Sequence, residues 1–175
     1  MKLSTKRLCR AGVIAALYVA LTYAFMPFAF GIIQVRPAEA LCILPLFFPE
    51  AIPALYVGCM LSNLASPFFF YDVFLGSLAT LLAAFVTYMV GIYVKNKHIK
   101  FVLGSLSPVM FNTLIIPIIA VVLCGYGDSA SLFVNYALFA LSLLITESIW
   151  VFGLGAPLYY GMQSMQKHNL SFLKK

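Results

Sequence analysis

Four charged side chains interrupt long uncharged runs, and their chemistry is that of ligand binding. Arg36, Glu39, Asp72 and Glu147 stand in or beside these runs, in a chain where only 9% of residues carry charge. Glu147 lies deepest. An acidic side chain at the centre of a membrane helix costs on the order of 2.5–3.5 kcal/mol on insertion scales, so it needs a partner. Gln34, Asn63, Asn112, Tyr71 and Tyr136 add donors and acceptors. One carboxylate can accept two adjacent N–H groups in a charge-assisted pair, while amides read carbonyls and ring nitrogens. No nucleophile–base pair, metal-ligand spacing or phosphate-binding G-x-x-x-x-G-K-[ST] accompanies them. The pattern therefore points to a binding site without cofactor or metal rather than to an enzyme. Each residue also has a structural reading. Arg36 and Glu39, three apart, can pair with each other. Asn63 and Asn112 can hold helices together, and Asp72 can cap a helix N-terminus. Arg36 and Asp72 are expected near the outer face, and Glu50 and Asp128 in solvated loops.

The elements that must position these groups follow from composition. Of 175 residues, 63% are hydrophobic, against about 45–50% in soluble domains. A chain this short leaves much of its surface exposed, so a soluble enzyme is excluded, and disorder with it. The net charge of +6 gathers in three patches: Lys2, Lys6, Arg7 and Arg10; Lys95, Lys97 and Lys100; Lys167, Lys174 and Lys175. Patches that flank apolar runs set membrane topology; they are not a nucleic-acid footprint. His98 and His168 lie in or beside these patches, and the four cysteines read as small buried hydrophobes.

Runs 11–33, 51–71, 73–94 and 101–127 are uncharged and of spanning length, whereas 40–49 is short. With all three basic patches cytoplasmic, 11–94 must cross an even number of times. The short segment starting near Glu39 therefore has to supply a crossing. The expected architecture is all-α and integral to the membrane: one domain over 1–175, six transmembrane helices, both termini cytoplasmic. Outer connections fall near 31–38, 67–72 and 125–132, and inner ones near 49–52 and 95–100. The last helix, at about 33 residues and about 50 Å, must be long, tilted or broken near Gly153-Leu154-Gly155-Ala156-Pro157. Pro27, Pro37, Pro45, Pro49 and Pro53 mark either pocket-forming backbone or plain loops. Gly12, Ala16, Ala20 and Ala24 form a small-residue stripe beside Ala11 and Ala15. It suits packing inside the bundle or docking of another membrane protein. On this map the polar residues converge on one outward-facing pocket. Phe68, Phe69, Phe70 and Tyr71 serve as its wall or as an interfacial belt.

Three stretches carry a family resemblance. Ile33-Gln34-Val35-Arg36-Pro37-Ala38-Glu39-Ala40-Leu41 followed by Leu44-Pro45, then Gly58-Cys59-Met60-Leu61-Ser62-Asn63, then Asp72-Val73-Phe74-Leu75-Gly76-Ser77-Leu78-Ala79-Thr80-Leu81 resemble the QueT family. That resemblance implies a substrate-binding (S) component of an energy-coupling factor (ECF) transporter in a bacterial plasma membrane. It implies cargo taken from outside, a 7-deazaguanine precursor of queuosine. It also implies partners: a transmembrane coupling subunit that meets the helix 1 stripe (here Gly12, Ala16, Ala20) and two ATPase subunits whose ATP hydrolysis tilts the S component. Glu147 or Glu39 would then accept the N–H edge of the base, Glu147 for preference. Asn63, Asn112 or Gln34 would read its carbonyl and ring nitrogen, an aromatic ring would stack on it, and Arg36 would balance the acids. An S component for another vitamin, such as riboflavin or thiamine, and a self-sufficient ion-coupled secondary transporter are the rival readings.

Overall fold

A computed structural model describes residues 5–30, 33–127 and 131–167. Its described residues form helices and no strand. They are α1 (Thr5–Ala24), a four-residue α2 (Met26–Ala29), α3 (Pro37–Leu46), α4 (Ala51–Asn63), α5 (Phe69–Tyr93), α6 (Lys97–Leu123) and α7 (Leu132–Gln166). Four of them, α1, α5, α6 and α7, are long and apolar enough to cross a bilayer, at 20, 25, 27 and 35 residues.

The short segment that charge parity singled out is α3, a ten-residue 3₁₀ helix. At about 2 Å rise per residue it reaches roughly 20 Å, about the length of the 13-residue α4. Pro37 opens α3 where no N–H is needed, and every residue from Pro37 to Pro45 is buried. Runs of 3₁₀ helix this long are uncommon. This one survives because the bundle encloses it, the only setting in which irregular backbone persists at membrane depth. Within the proline-rich stretch, Pro37 and Pro45 are thus buried framework, whereas Pro27 and Pro53 are exposed.

Contacts sort the connections onto two ends. At one, Arg10 of α1 pairs with Glu50 at 2.6 Å, and Arg10 also lies 4.5 Å over the Phe48 ring. The Lys100 Nζ donates to Gly91 O at 2.9 Å, and the Tyr159 hydroxyl donates to Lys97 O at 2.8 Å. Asn96 caps α6 there by accepting from the backbone N–H of His98. Gly91 meets Leu46 so closely that a Cβ would stand 3.0 Å from its Cα. At the other end Asn63 bonds to Asp72, and Phe68 and Phe139 both pack edge-on against Tyr126. Arg10, Lys97 and Lys100 of the first two basic patches thus lie at one end. Glu50 is a correction: it is not a freely solvated loop residue but the largely covered ion-pair partner of Arg10. Lys2, His168, Lys174, Lys175 and Asp128, and the side chain of Lys167, lie outside the described residues.

The last helix is long rather than broken. It stays continuous through the Gly–Pro segment because Ile149–Leu154 widens into π geometry, which relieves the missing donor of Pro157. Two other π segments occur, at Asp72–Gly76 and Ile118–Leu123. Such widened turns re-aim side chains and recur at functional sites.

Helix 1 presents two faces. Tyr18 and Ile14 enter the main core, and the Ala11/Ala15 row packs on α4. There Gly58 lies so close that a Cβ would stand 3.0 Å from Tyr18 Cβ. Gly12, Ala16, Ala20 and Ala24 are exposed. Internal packing thus belongs to the Ala11/Ala15 row. Cys42 and Cys59 are buried as expected, but Cys9 is exposed and Cys124 only partly covered.

Candidate functional site

Buried polar side chains from α1, α3, α4, α5, α6 and α7 converge around the N-terminal half of α3. Glu39 is 1% exposed. Its Oε1 accepts from the Tyr18 hydroxyl at 2.5 Å and its Oε2 from the Cys42 thiol at 3.2 Å. The 3₁₀ geometry explains the second contact, since residues i and i+3 eclipse in such a helix. Arg36 is also three residues from Glu39, yet the expected pair does not form. Arg36 precedes the helix with φ −124° and ψ 77°, which turns its side chain elsewhere. Its Nη2 donates to Asn63 Oδ1 at 2.7 Å, and its guanidinium carbon lies 5.3 Å from the Phe30 ring centre.

Asn63 is the joint of the cluster. Its Nδ2 donates to Asp72 O at 2.8 Å and approaches Cys59 Sγ at 3.4 Å. The same sulfur accepts from the Thr80 hydroxyl at 3.3 Å. Gly76 makes room for this joint: a Cβ there would lie 3.3 Å from Asn63 Nδ2 and 3.7 Å from Asp72 Oδ1. Asp72 Oδ2 accepts from Ser66 Oγ, which in turn accepts from Phe68 N at 3.1 Å. Across the bundle, Asn112 Nδ2 donates to Glu147 Oε1 at 3.2 Å. Glu147 is 3% exposed and directly precedes the π segment of α7 that packs on α3. That packing brings it within electrostatic range of Glu39 and Arg36.

Of the residues singled out from sequence, Arg36, Glu39, Asn63, Asp72, Asn112 and Glu147 come together, and Gln34 is buried beside them in the chain. Several expectations are corrected. Arg36 and Asp72 are both buried within the bundle. Asp72 caps nothing, because its helix begins earlier, at Phe69. Tyr71 stays outside the cluster: it is 38% exposed and packs edge-on against Phe70. Phe69 and Phe70 are exposed as well, so only Phe68 of that aromatic run turns inward. Tyr136 donates to Leu114 O at 3.3 Å and braces α7 against α6. Tyr18, Cys42, Cys59, Ser66 and Thr80 were not picked out from sequence. Tyr18 alone carried a signal, as the polar-tipped side chain on the helix 1 face opposite the small-residue stripe.

The network leaves specific atoms unsatisfied. Arg36 Nε, Asp72 Oδ1 and Glu147 Oε2 are buried without a hydrogen-bond partner, as are Ser62 Oγ and Ser77 Oγ. Each such group costs about 1–3 kcal/mol, and native interiors rarely tolerate several together. A ligand bringing N–H donors and an acceptor would satisfy them. Among the described residues, no three His, Cys, Asp or Glu lie together as a metal ion would require.

An all-helical chain whose described residues include four helices long and apolar enough to cross a bilayer is a multi-pass membrane protein. The sequence model of the QueT transporter family matches residues 8–164, and the chain belongs to that family of membrane transporters. No curated protein and no solved structure matches it.

Proposed function

We propose that this chain is the substrate-binding component of an ATP-driven ECF importer, and that it captures a 7-deazaguanine precursor of queuosine from outside the cell. In this reading the chain crosses the membrane six times, with both termini in the cytoplasm and the polar cluster nearer the outer face. A coupling subunit docks on the free stripe of Gly12, Ala16 and Ala20, and two ATPase subunits supply the energy.

The observation that carries the reading is Glu147: a buried carboxylate with one oxygen held by Asn112 and the other unpartnered. A deazaguanine presents a ring N–H and an exocyclic amine side by side, the donor pair that a carboxylate accepts. Asn112, fixed by the same carboxylate, and Asn63, fixed by Arg36, stand by to read the remaining edge atoms. Glu39 is less suited, because both its oxygens already accept hydrogen bonds.

Calorimetry on the purified chain tests this. Binding of a 7-deazaguanine at micromolar concentration or below is expected, with the same base identified by mass spectrometry of what co-purifies. Absence of heat across the deazaguanine series would overturn the cargo assignment. The rival ion-coupled transporter is favoured by the same buried carboxylates. It requires uptake by this chain alone in liposomes, abolished when the ion gradient is dissipated.

A further inference from the structure

We infer that the junction of α1 and α4 seats one anionic phospholipid, with its phosphate against Arg7 and an acyl chain in the groove between the two helices. The inference needs the membrane setting alone and is independent of the cargo proposed above.

The starting observation is a pair of cavities at the end of the bundle where Arg10, Lys97 and Lys100 lie. One, of about 220 Å³, opens between the start of α1 and the α3–α4 connection, with Arg7, Arg10, Phe48, Glu50 and Tyr88 in its wall. The other, of about 360 Å³, runs between α1 and α4. Arg7 and Glu50 line both, so the two adjoin. Beyond those two residues the second cavity is apolar throughout. Ala11, Ala15 and Ala54 form its floor, and Leu8 and Val57 stand exposed at its rims.

Small side chains on both helices leave this groove unfilled. At Gly12 on its edge, a Cβ would meet nothing within 4 Å. The groove ends where the helices touch, at Gly58, whose Cβ would stand 3.2 Å from Ala15 O. From Arg7 to Ala15 the groove follows α1 for about 12 Å, room for the upper part of an acyl chain.

The electrostatics select the headgroup. Glu50 is answered within the protein by Arg10, at 2.6 Å, and the Arg10 guanidinium also lies over the Phe48 ring. Arg7 is partly covered, and among the described residues no carboxylate pairs with it. One guanidinium thus stands at the mouth of an apolar groove. Guanidinium groups hold phosphate oxygens bidentately, and basic pockets between membrane helices are where anionic lipid headgroups dock. Tyr88, in the same wall, brings a hydroxyl donor. A neutral hydrocarbon chain would fill the groove and ignore Arg7. A free phosphate would meet Arg7 and leave the groove empty. An anionic phospholipid answers both.

Native mass spectrometry tests this on the full-length chain, released from micelles that hold equal amounts of phosphatidylglycerol and phosphatidylcholine with the same acyl chains. One phosphatidylglycerol is expected to stay bound, at least fivefold over phosphatidylcholine, and excess glycerol 3-phosphate should not displace it. Arg7→Gln should bring the two lipids to within twofold of each other. Lys6→Gln removes the same charge outside both cavities and should leave the preference intact. A phosphatidylglycerol with a photoreactive acyl chain should label α1 and α4 around Leu8 and Val57 in preference to the exposed face of α5. Equal retention of the two lipids, displacement by glycerol 3-phosphate, an equal loss in Lys6→Gln and Arg7→Gln, or label spread evenly over the helices overturns the proposal and leaves the groove to a protein partner or to bulk lipid. Should Arg7→Gln not fold, the wild-type preference and the labelled positions decide.

Discussion

Replacing Glu147 by Gln separates a ligand-reading carboxylate from one kept for structure. The change is nearly isosteric. Asn112 Nδ2, now 3.2 Å from Glu147 Oε1, would keep an acceptor in the amide oxygen. The atom that changes is the unpartnered Oε2, which becomes an NH₂ group. For a ligand offering two N–H donors, one charge-assisted hydrogen bond, worth about 1.5–3 kcal/mol, is lost. Two donors then face each other without an acceptor, which costs about 1–3 kcal/mol more. Together the loss is about 2.5–6 kcal/mol, roughly two to four orders of magnitude in affinity. The fold gains, because a buried charge with one free oxygen is removed. Calorimetry should thus show binding weakened at least 100-fold, while thermal unfolding of the empty protein stays put or moves up. If affinity changed less than threefold, or the empty protein unfolded at a clearly lower temperature, Glu147 would be a structural residue and the reasoning would be wrong.

Two further outcomes follow from the same geometry. Tyr18→Phe removes the hydroxyl that donates to Glu39 at 2.5 Å in a fully buried setting. Stability should fall by about 1–3 kcal/mol in a denaturant titration, and the double variant with Glu39→Gln should lose less than the sum of the two single changes. Ala16→Leu or Ala20→Leu adds bulk to an exposed stripe. Ligand affinity should stay within about twofold of wild type while co-purification with a coupling subunit is lost; assembly that persists would assign the stripe to lipid.

Much of the architecture was legible because hydropathy and charge are one-dimensional signals. The spacing of Lys6–Arg10 from Lys95–Lys100 argues for an even number of passes between them, which drew attention to a segment too short to be recognised alone. In the structure that segment is the buried helix α3. Its 3₁₀ form was not legible beyond the density of prolines, because what stabilises it is enclosure by other helices. The buried polar cluster was legible as a set of residues, Tyr71 apart, but not as a set of bonds. Asn63 and Asn112 stand out in sequence because amides are costly in apolar helices. Tyr18, Cys42 and Cys59 do not, because each passes as an ordinary core residue until the fold sets a carboxylate or an amide against it. The aromatic run 68–71 misled for the opposite reason: four adjacent rings on a helix start cannot all face one way, and only Phe68 turns in.

The conformation of α3 decides more of the site than its sequence spacing suggests. In an α-helix, residues three apart are neighbours, and Arg36 and Glu39 would neutralise each other. Here the helix starts one residue after Arg36, and the non-helical dihedrals at Arg36 send its guanidinium to α4. Inside the helix the 3₁₀ winding stacks Cys42 on Glu39. The acid is thereby held by two weakly acidic donors from different elements, and the base is spent on an amide. Opposite charges three residues apart are kept from cancelling by backbone geometry alone. That separation leaves three acids facing a single base, with unpartnered atoms on Arg36, Asp72 and Glu147. An α-helix running through Arg36 would instead set Arg36 and Glu39 side by side as an ion pair.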